Sequence, residues 1–371
     1  MSETTSHSYA RQLGRGREAK SPNDIPAKGW KDILWRLYRS IAQDRVMLTA
    51  AGVTYYLMLA LVPTLTAFVS IYGLFNNRAT VLDQVDVLVG IVPSGGLDII
   101  RDQLTRITSE SDGTLSLTLF FSLALALWSA SAGVKAMFEG MNIAYHEDEK
   151  RSFIHYNLLA LAFTLGGALA AVLVVAVILI MPAVLPLLPG SKGLEWTIRI
   201  AGYLAMLFVV VAGIGALYRW GPSREDARWR WITPGTGLAV VATGVTSVLF
   251  SWYVGNFTDY NATYGSLGAL IGLLTWLWLT ATTVIFGAEL NSEIEHQTAK
   301  DSTTGSELPL GERGAHMADT VGRAWPPARD KLEAAPQTMQ REHLSWKTIA
   351  ILAPIALAVG LAARRSRRRQ S

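Results

Sequence analysis

Six stretches of this 371-residue chain run for at least 19 residues without an Asp, Glu, Lys or Arg. Nothing else in the sequence restricts the fold as strongly. A bilayer-spanning helix needs about 20 apolar residues, and an ionised group at the bilayer centre costs several kcal/mol. The stretches cover residues 46–77, 115–134, 157–188, 200–218, 232–257 and 264–288. Only 17% of the residues are charged, against roughly a quarter in soluble domains. The expected fold class is therefore an all-α integral membrane protein with about six core transmembrane helices.

The remaining segments set the expected organisation. Residues 1–29 are polar and basic and read as a disordered tail, with no apolar stretch and small-residue cleavage site of a secretory leader. Residues 30–297 form the polytopic membrane domain. Residues 298–345 are polar, with Pro326 and Pro327, and read as a linker. Residues 346–371 hold a short apolar run, 348–363, followed by Arg364, Arg365, Arg367, Arg368 and Arg369. That run is expected to form an additional C-terminal hydrophobic helix, a weak span or one lying against the membrane. Between the first two spans, residues 81–92 and 97–107 show apolar positions at helical spacing and suggest two surface helices.

Orientation follows from lysine and arginine, which short cytoplasmic loops retain during insertion. The N-terminal tail carries Arg11, Arg15, Arg17, Lys20 and Lys28. The loop after span two carries Lys150 and Arg151, and the loop after span four carries Arg219, Arg224, Arg228 and Arg230. The loop after span one is richer in acids, including Asp83, Asp86, Asp98 and Asp102, and the loop after span five has no basic residue. A multi-pass protein of a bacterial inner membrane, with a cytoplasmic N-terminus, is the expectation.

Several chemistries are disfavoured. There is no cysteine, so disulfides and thiolate sites are excluded. The run His146-Glu147-Asp148-Glu149 lacks the one-face spacing of a metal site and reads as a solvated acidic loop. No phosphate-binding Gly-x-x-x-x-Gly-Lys loop is present, no cofactor is expected, and the basic residues are too scattered to imply nucleic acid. No span carries an ionisable residue near its middle, which argues against a proton relay.

Polar and aromatic residues at the span ends mark a candidate path. Tyr55 lies in span one, and Trp128, Ser129, Ser131 and Lys135 close span two. Tyr264, Gly265 and Ser266 open span six, while Glu289 and Asn291 follow it. Each has a structural alternative. The serines can be helix–helix glue, Lys135 can pair with Glu139 four residues on, and Glu289 can pair with Lys135 or with an arginine of the loop after span four. The segment 256–266 can be an outer hairpin with an interfacial aromatic belt or a substrate mouth.

Three segments carry a resemblance. Span one reads AAGVTYYLMLALVPTL from Ala50, span two ends WSASAGVKAMFEGMNIAYHEDEKRSF from Trp128, and the last two spans read LFSWYVGNFTDYNATYGSLGALIGLLTWLWL and then FGAELNSEIE. Over roughly residues 30–297 the chain resembles the YihY or BrkB family of bacterial inner-membrane proteins, whose early ribonuclease label is regarded as a misassignment. The resemblance implies an inner-membrane protein of unsettled biochemistry, suggested to move a lipid or other envelope component. Membrane lipids are the expected partners, and the absence of catalytic motifs leads to the expectation of no enzymatic activity. A scaffold for envelope assembly is the alternative, and a membrane-associated ribonuclease comes third. The oligomeric state is not implied.

Overall fold

The computed structural model describes residues 8–75, 101, 105, 115–184, 192–257 and 267–326. Among them the chain is helical, without a named strand. A 17-residue helix, α1 (Ala27–Gln43), precedes six long ones: α2 (Val46–Phe75), α3 (Leu115–Tyr145), α4 (Phe153–Val184), α5 (Lys192–Trp220), α6 (Trp229–Phe257) and α7 (Leu267–Glu295). A last single turn, α8, spans His316–Asp319. Four helices, α4 to α7, are long and apolar enough within their described parts to cross a membrane, and residues Val46–Ala60 of α2 form a shorter apolar stretch. The expected surface helices at 81–92 and 97–107 and the C-terminal run 348–363 lie outside the described residues, apart from positions 101 and 105.

The helices pack because their facing sides are small. α2 pairs with α3 and α6 with α7, while α7 also contacts α2 and α3, so that α7 is the hub. A third of its apolar window is buried, against 6–11% for α4, α5 and α6. Ala50, Ala144, Ala239, Ala281 and Ala288 lie in the buried core with Val46, Met141, Tyr218 and Ile285. The tightest crossing is between Gly235 of α6 and Gly287 of α7. A methyl group on Gly287 would sit 2.6 Å from the Gly235 carbonyl oxygen, and one on Gly235 would overlap the Gly287 carbonyl. By contrast, Gly213 and Gly272 have no described atom within 4 Å of such a methyl. Inside the bilayer-length part, Thr243 and Thr283 hydroxyls meet at 2.7 Å and Trp276 Nε1 donates to Ser247 Oγ at 3.1 Å, both joining α6 to α7. Polar ties between helices suit a medium that offers no water as partner.

Two expectations about the polar ends are corrected. Residues 8–29 are not a free tail over their described length: Arg17, Ala19 and Ile25 are buried, and Arg17 donates to the carbonyls of Gln297 (3.0 Å) and Gly322 (2.7 Å). Nor is 298–325 a linker. It folds back on the helix ends, with Asp301, Ser302, Thr303, Met317, Ala318 and Val321 buried. Its centre is Arg313, whose guanidinium donates to the carbonyls of Ala299, Leu308 and Ala318 at 2.6–3.1 Å. Asp319 receives the N–H groups of Gly311 and Arg313, and Gly305, Gly311 and Gly314 supply positive φ for the turns. This cap is stabilised by side chains satisfying backbone groups, which a search for apolar mass overlooks. The chain divides at residue 325, with Pro326–Ser371 a separate unit.

Candidate functional site

Among the described residues a groove opens between two of the long helices. It lies between α2 and α3, holds about 560 Å³, and is lined by Thr49, Gly52, Val53 and Tyr56 from α2 and by Ala132, Lys135, Ala136, Glu139 and Ile143 from α3. The α3 positions fall at i, i+3, i+4, i+7 and i+11, a single stripe. Small residues on that stripe and Gly52 opposite leave the space, since no described atom lies within 4 Å of a methyl built on Gly52.

Lys135 is the fixed charge of the groove. Its Nζ donates to Asn157 Oδ1 of α4 at 3.1 Å and lies 5.4 Å from the centroid of the Trp128 ring. The expected ion pair with Glu139 is absent, so the carboxylate is left exposed one turn further along the helix. Trp128 is 73% exposed and Tyr55 60% exposed, with the Tyr55 and Tyr56 rings 5.6 Å apart. These aromatics are exposed on the outer surface of the helices beside the groove. Ser129 is half-buried and lies three residues before Ala132, on the same stripe. Ser131 is only 8% exposed and turns off that stripe into the packing. Tyr264, Gly265 and Ser266, and most of the segment 256–266, lie outside the described residues.

Glu289 and Asn291 are not on this groove. They belong to a buried polar knot where the α1, α3 and α7 ends, two loops and the cap meet. Asn291 bridges to α6, accepting from the Gly235 N–H at 2.7 Å and donating to the Ile232 carbonyl at 3.0 Å. Glu289 is 0% exposed, and neither carboxylate oxygen has a partner among the described residues. The expected pairing with Lys135 or with an arginine of the 219–230 loop does not form. Arg224 of that loop does reach α7, but it grips Glu295 with two hydrogen bonds of 2.6 Å. Burial opposes the Arg224 charge, but Glu295 outweighs it and holds the guanidinium proton above its ordinary range.

Sequence reasoning missed most of this knot. Arg36 of α1 reaches Glu293 (2.5 Å), the Glu293 carbonyl (2.9 Å) and Gln297 Oε1 (2.8 Å). The signal was available in the buried stripe Gly29, Asp32, Ile33, Arg36, Leu37 and Ser40, spaced three and four apart on α1. The loop 146–149 is exposed at His146, Asp148 and Glu149, as expected, but Glu147 is buried. Glu147 accepts the His316 N–H at 2.6 Å and Lys150 Nζ at 2.8 Å. Burial works against the charge of Glu149, but Arg151 and Asn142 donate to it and bring it down to about 2. The Asp44 hydrogen bond raises His146 above its ordinary value against opposing burial, whereas burial and the neighbouring His146 lower His316. The two imidazole rings are 5.8 Å apart. Among the described residues, no three His, Asp or Glu side chains gather as metal ligands do.

The family described as virulence factor BrkB matches residues 37–309. The chain is 29% identical over 253 residues to the ribonuclease-like protein YfkH of Bacillus subtilis, covering 66% of this chain and 88% of that protein. It is 28% identical over 263 residues to a UPF0761 membrane protein of Xanthomonas campestris, covering 70% of this chain and 59% of that one. A UPF0761 membrane protein of Xanthomonas axonopodis gives 28% over 263 residues, with 70% and 60% covered. This chain thus spans less than two thirds of the Xanthomonas relatives. No solved structure matches.

Proposed function

The chain belongs to the virulence factor BrkB family, and from that premise we propose that it is a multi-pass inner-membrane protein that moves a lipid or other envelope component along the α2–α3 groove. The observation carrying this reading is the groove itself. It is a lipid-facing cleft of about 560 Å³ holding a lysine and a carboxylate that do not neutralise each other. Charged groups are turned away from hydrocarbon unless something polar meets them, and an amphipathic molecule with its polar end at Lys135 supplies that partner.

The topology proposed with it has α2 to α7 crossing the bilayer and both ends of this core in the cytoplasm. One end of the bundle collects Arg17 and Arg36 on Gln297, Arg224 on Glu295, Lys150 on Glu147, Arg151 on Glu149 and Arg313 on the cap carbonyls. The positive-inside rule assigns that end to the cytoplasm. The ribonuclease-like name of YfkH is that protein's. For this chain the reading is non-enzymatic, since the acids Glu147, Glu293 and Glu295 of the knot are engaged by Lys150, Arg36 and Arg224. A scaffold role is the second reading, favoured by the folded cap that this end presents.

Gly52→Leu tests transport. The leucine enters open space, so melting in detergent is expected to stay unchanged while movement of fluorescent lipid between leaflets of proteoliposomes falls. Wild-type protein that moves no lipid, or a Gly52→Leu protein as active as wild type, would turn the reading toward the scaffold.

A further inference from the structure

The order of charges along the groove specifies a headgroup. α3 enters the groove from its apolar stretch at Ala132, reaches Lys135 just past the charge-free run, and then Glu139. Four residues of helix rise about 6 Å, so the carboxylate stands one turn nearer the water than the ammonium. A glycerophospholipid has its acyl chains deepest, then its phosphate, and then its terminal amine. The sequences of groups in the protein and in such a lipid therefore correspond: Ala132 and the Tyr56 ring, on the apolar side of Lys135, with the acyl chains, Lys135 with the phosphate, Glu139 with the amine.

We propose that this groove binds a zwitterionic phospholipid bearing a primary amine, a phosphatidylethanolamine, taken from the cytoplasmic leaflet. Lys135 is positioned for the phosphate because Asn157 and the Trp128 face hold its ammonium in place, leaving N–H donors to spare. On an unobstructed helix a lysine and a glutamate four apart attract each other. Here Glu139 instead keeps its acceptors open beside the groove and has no ion-pair partner among the described residues. An amine with three N–H donors satisfies it. A headgroup that is anionic without an amine would gain at Lys135 and be repelled at Glu139, and a quaternary amine would bring charge without donors.

This inference rests on the groove being a lipid path, and the experiment separates the two. Full-length protein is equilibrated with vesicles of equal parts phosphatidylethanolamine, phosphatidylglycerol and phosphatidylcholine, and retained lipid is read by native mass spectrometry. Phosphatidylethanolamine is expected to be retained about fivefold over phosphatidylglycerol, the scale of one exposed ion pair. Glu139→Gln should abolish that preference without reducing phosphatidylglycerol, and Lys135→Gln should weaken retention of both. Since Glu139 is exposed, its variant remains a fair test even if Lys135→Gln fails to fold. Equal retention of the two lipids by wild type, or an intact preference in Glu139→Gln, overturns the proposal. In proteoliposomes, lipid movement without headgroup preference sinks this inference alone. Selective retention without movement sinks the transport reading and leaves the binding site.

Discussion

Asn291 acts where Pro234 sits inside α6. A proline removes one backbone donor and disturbs the turn before it. The Asn291 amide meets both the N–H of Gly235 and the carbonyl of Ile232. Asn291→Leu would leave the Gly235 N–H buried and unpaired, at about 1–3 kcal/mol, while the Ile232 carbonyl keeps the Thr236 hydroxyl. The expected result is a clear fall in the detergent melting temperature, with Asn291→Asp intermediate because it keeps the acceptor. Glu289 should behave oppositely. Its carboxylate oxygens lack partners among the described residues, so Glu289→Gln removes a buried ionisable group at no loss of bonding. Melting of that variant is expected to be unchanged or higher by about 1–2 kcal/mol; a large loss would mean that Glu289 serves a partner outside the described residues.

At the scale of elements, α6 and α7 meet backbone to backbone at Gly235 and Gly287, with side-chain ties on either side of that crossing. Gly235→Ala places a methyl against the Gly287 carbonyl and the Asn291 amide, so the helices must part. Gly272→Ala meets no described atom within 4 Å and adds helix propensity of about 1 kcal/mol. Paired expression and melting measurements should show the first variant severely impaired and the second no worse than wild type. The cap is a second element with a definite test. Ending the chain at residue 325 removes the separate unit and should leave melting unchanged. Ending it at 299 strips Arg17 and Arg36 of the carbonyls of Gly322 and Arg323, and melting should fall. Arg313→Ala should reproduce much of that loss while keeping the chain length, because its guanidinium joins the cap's strands of chain.

For the whole molecule, acid should loosen the end that carries the polar knot and the cap. Burial lowers His296 below its ordinary 6.5, with Glu293 opposing and Arg36 assisting; its Nδ1 lies 3.7 Å from Glu293, too far for a hydrogen bond. His316 is likewise lowered by burial and by His146. A histidine lowered by folding contributes stability that is complete above about pH 6.5 and drains away as pH falls. His146, raised by Asp44, has the opposite sign, since its contribution is complete in acid and is lost as pH rises. Because His296 and His316 lie in or against this segment, its hydrogen-exchange protection factors, referred to the intrinsic exchange rate at each pH, are expected to fall over residues 296–325 from pH 7.5 to 5.5, and a His296→Gln/His316→Gln protein should lose most of that dependence. The topology has its own measurement, helped by the absence of native cysteine. A cysteine at the exposed position of Glu312 should resist an impermeant thiol reagent in intact cells, while one at Asp259 should react. The reverse pattern would invert the proposed orientation.

The sequence by itself determined the helices and the medium they suit. Charge-free length is a one-dimensional property, and 157–188 or 232–257 can be read without knowing any neighbour. The stretch containing Lys135 was legible too, because a charge at the end of an apolar run is conspicuous. Which partner each charge takes was decided only by the tertiary structure. Arg36 and Glu293 are 257 positions apart, and Arg17 and Gly322 are 305 apart, with no periodicity linking them. The same holds for Gly235 against Gly287 and for the separation of Glu139 from Lys135. Polar side chains declare their chemistry in sequence but not their partners. In segments such as 298–325 the fold rests on those pairings rather than on apolar burial, so it becomes visible only once the helices have brought the ends together.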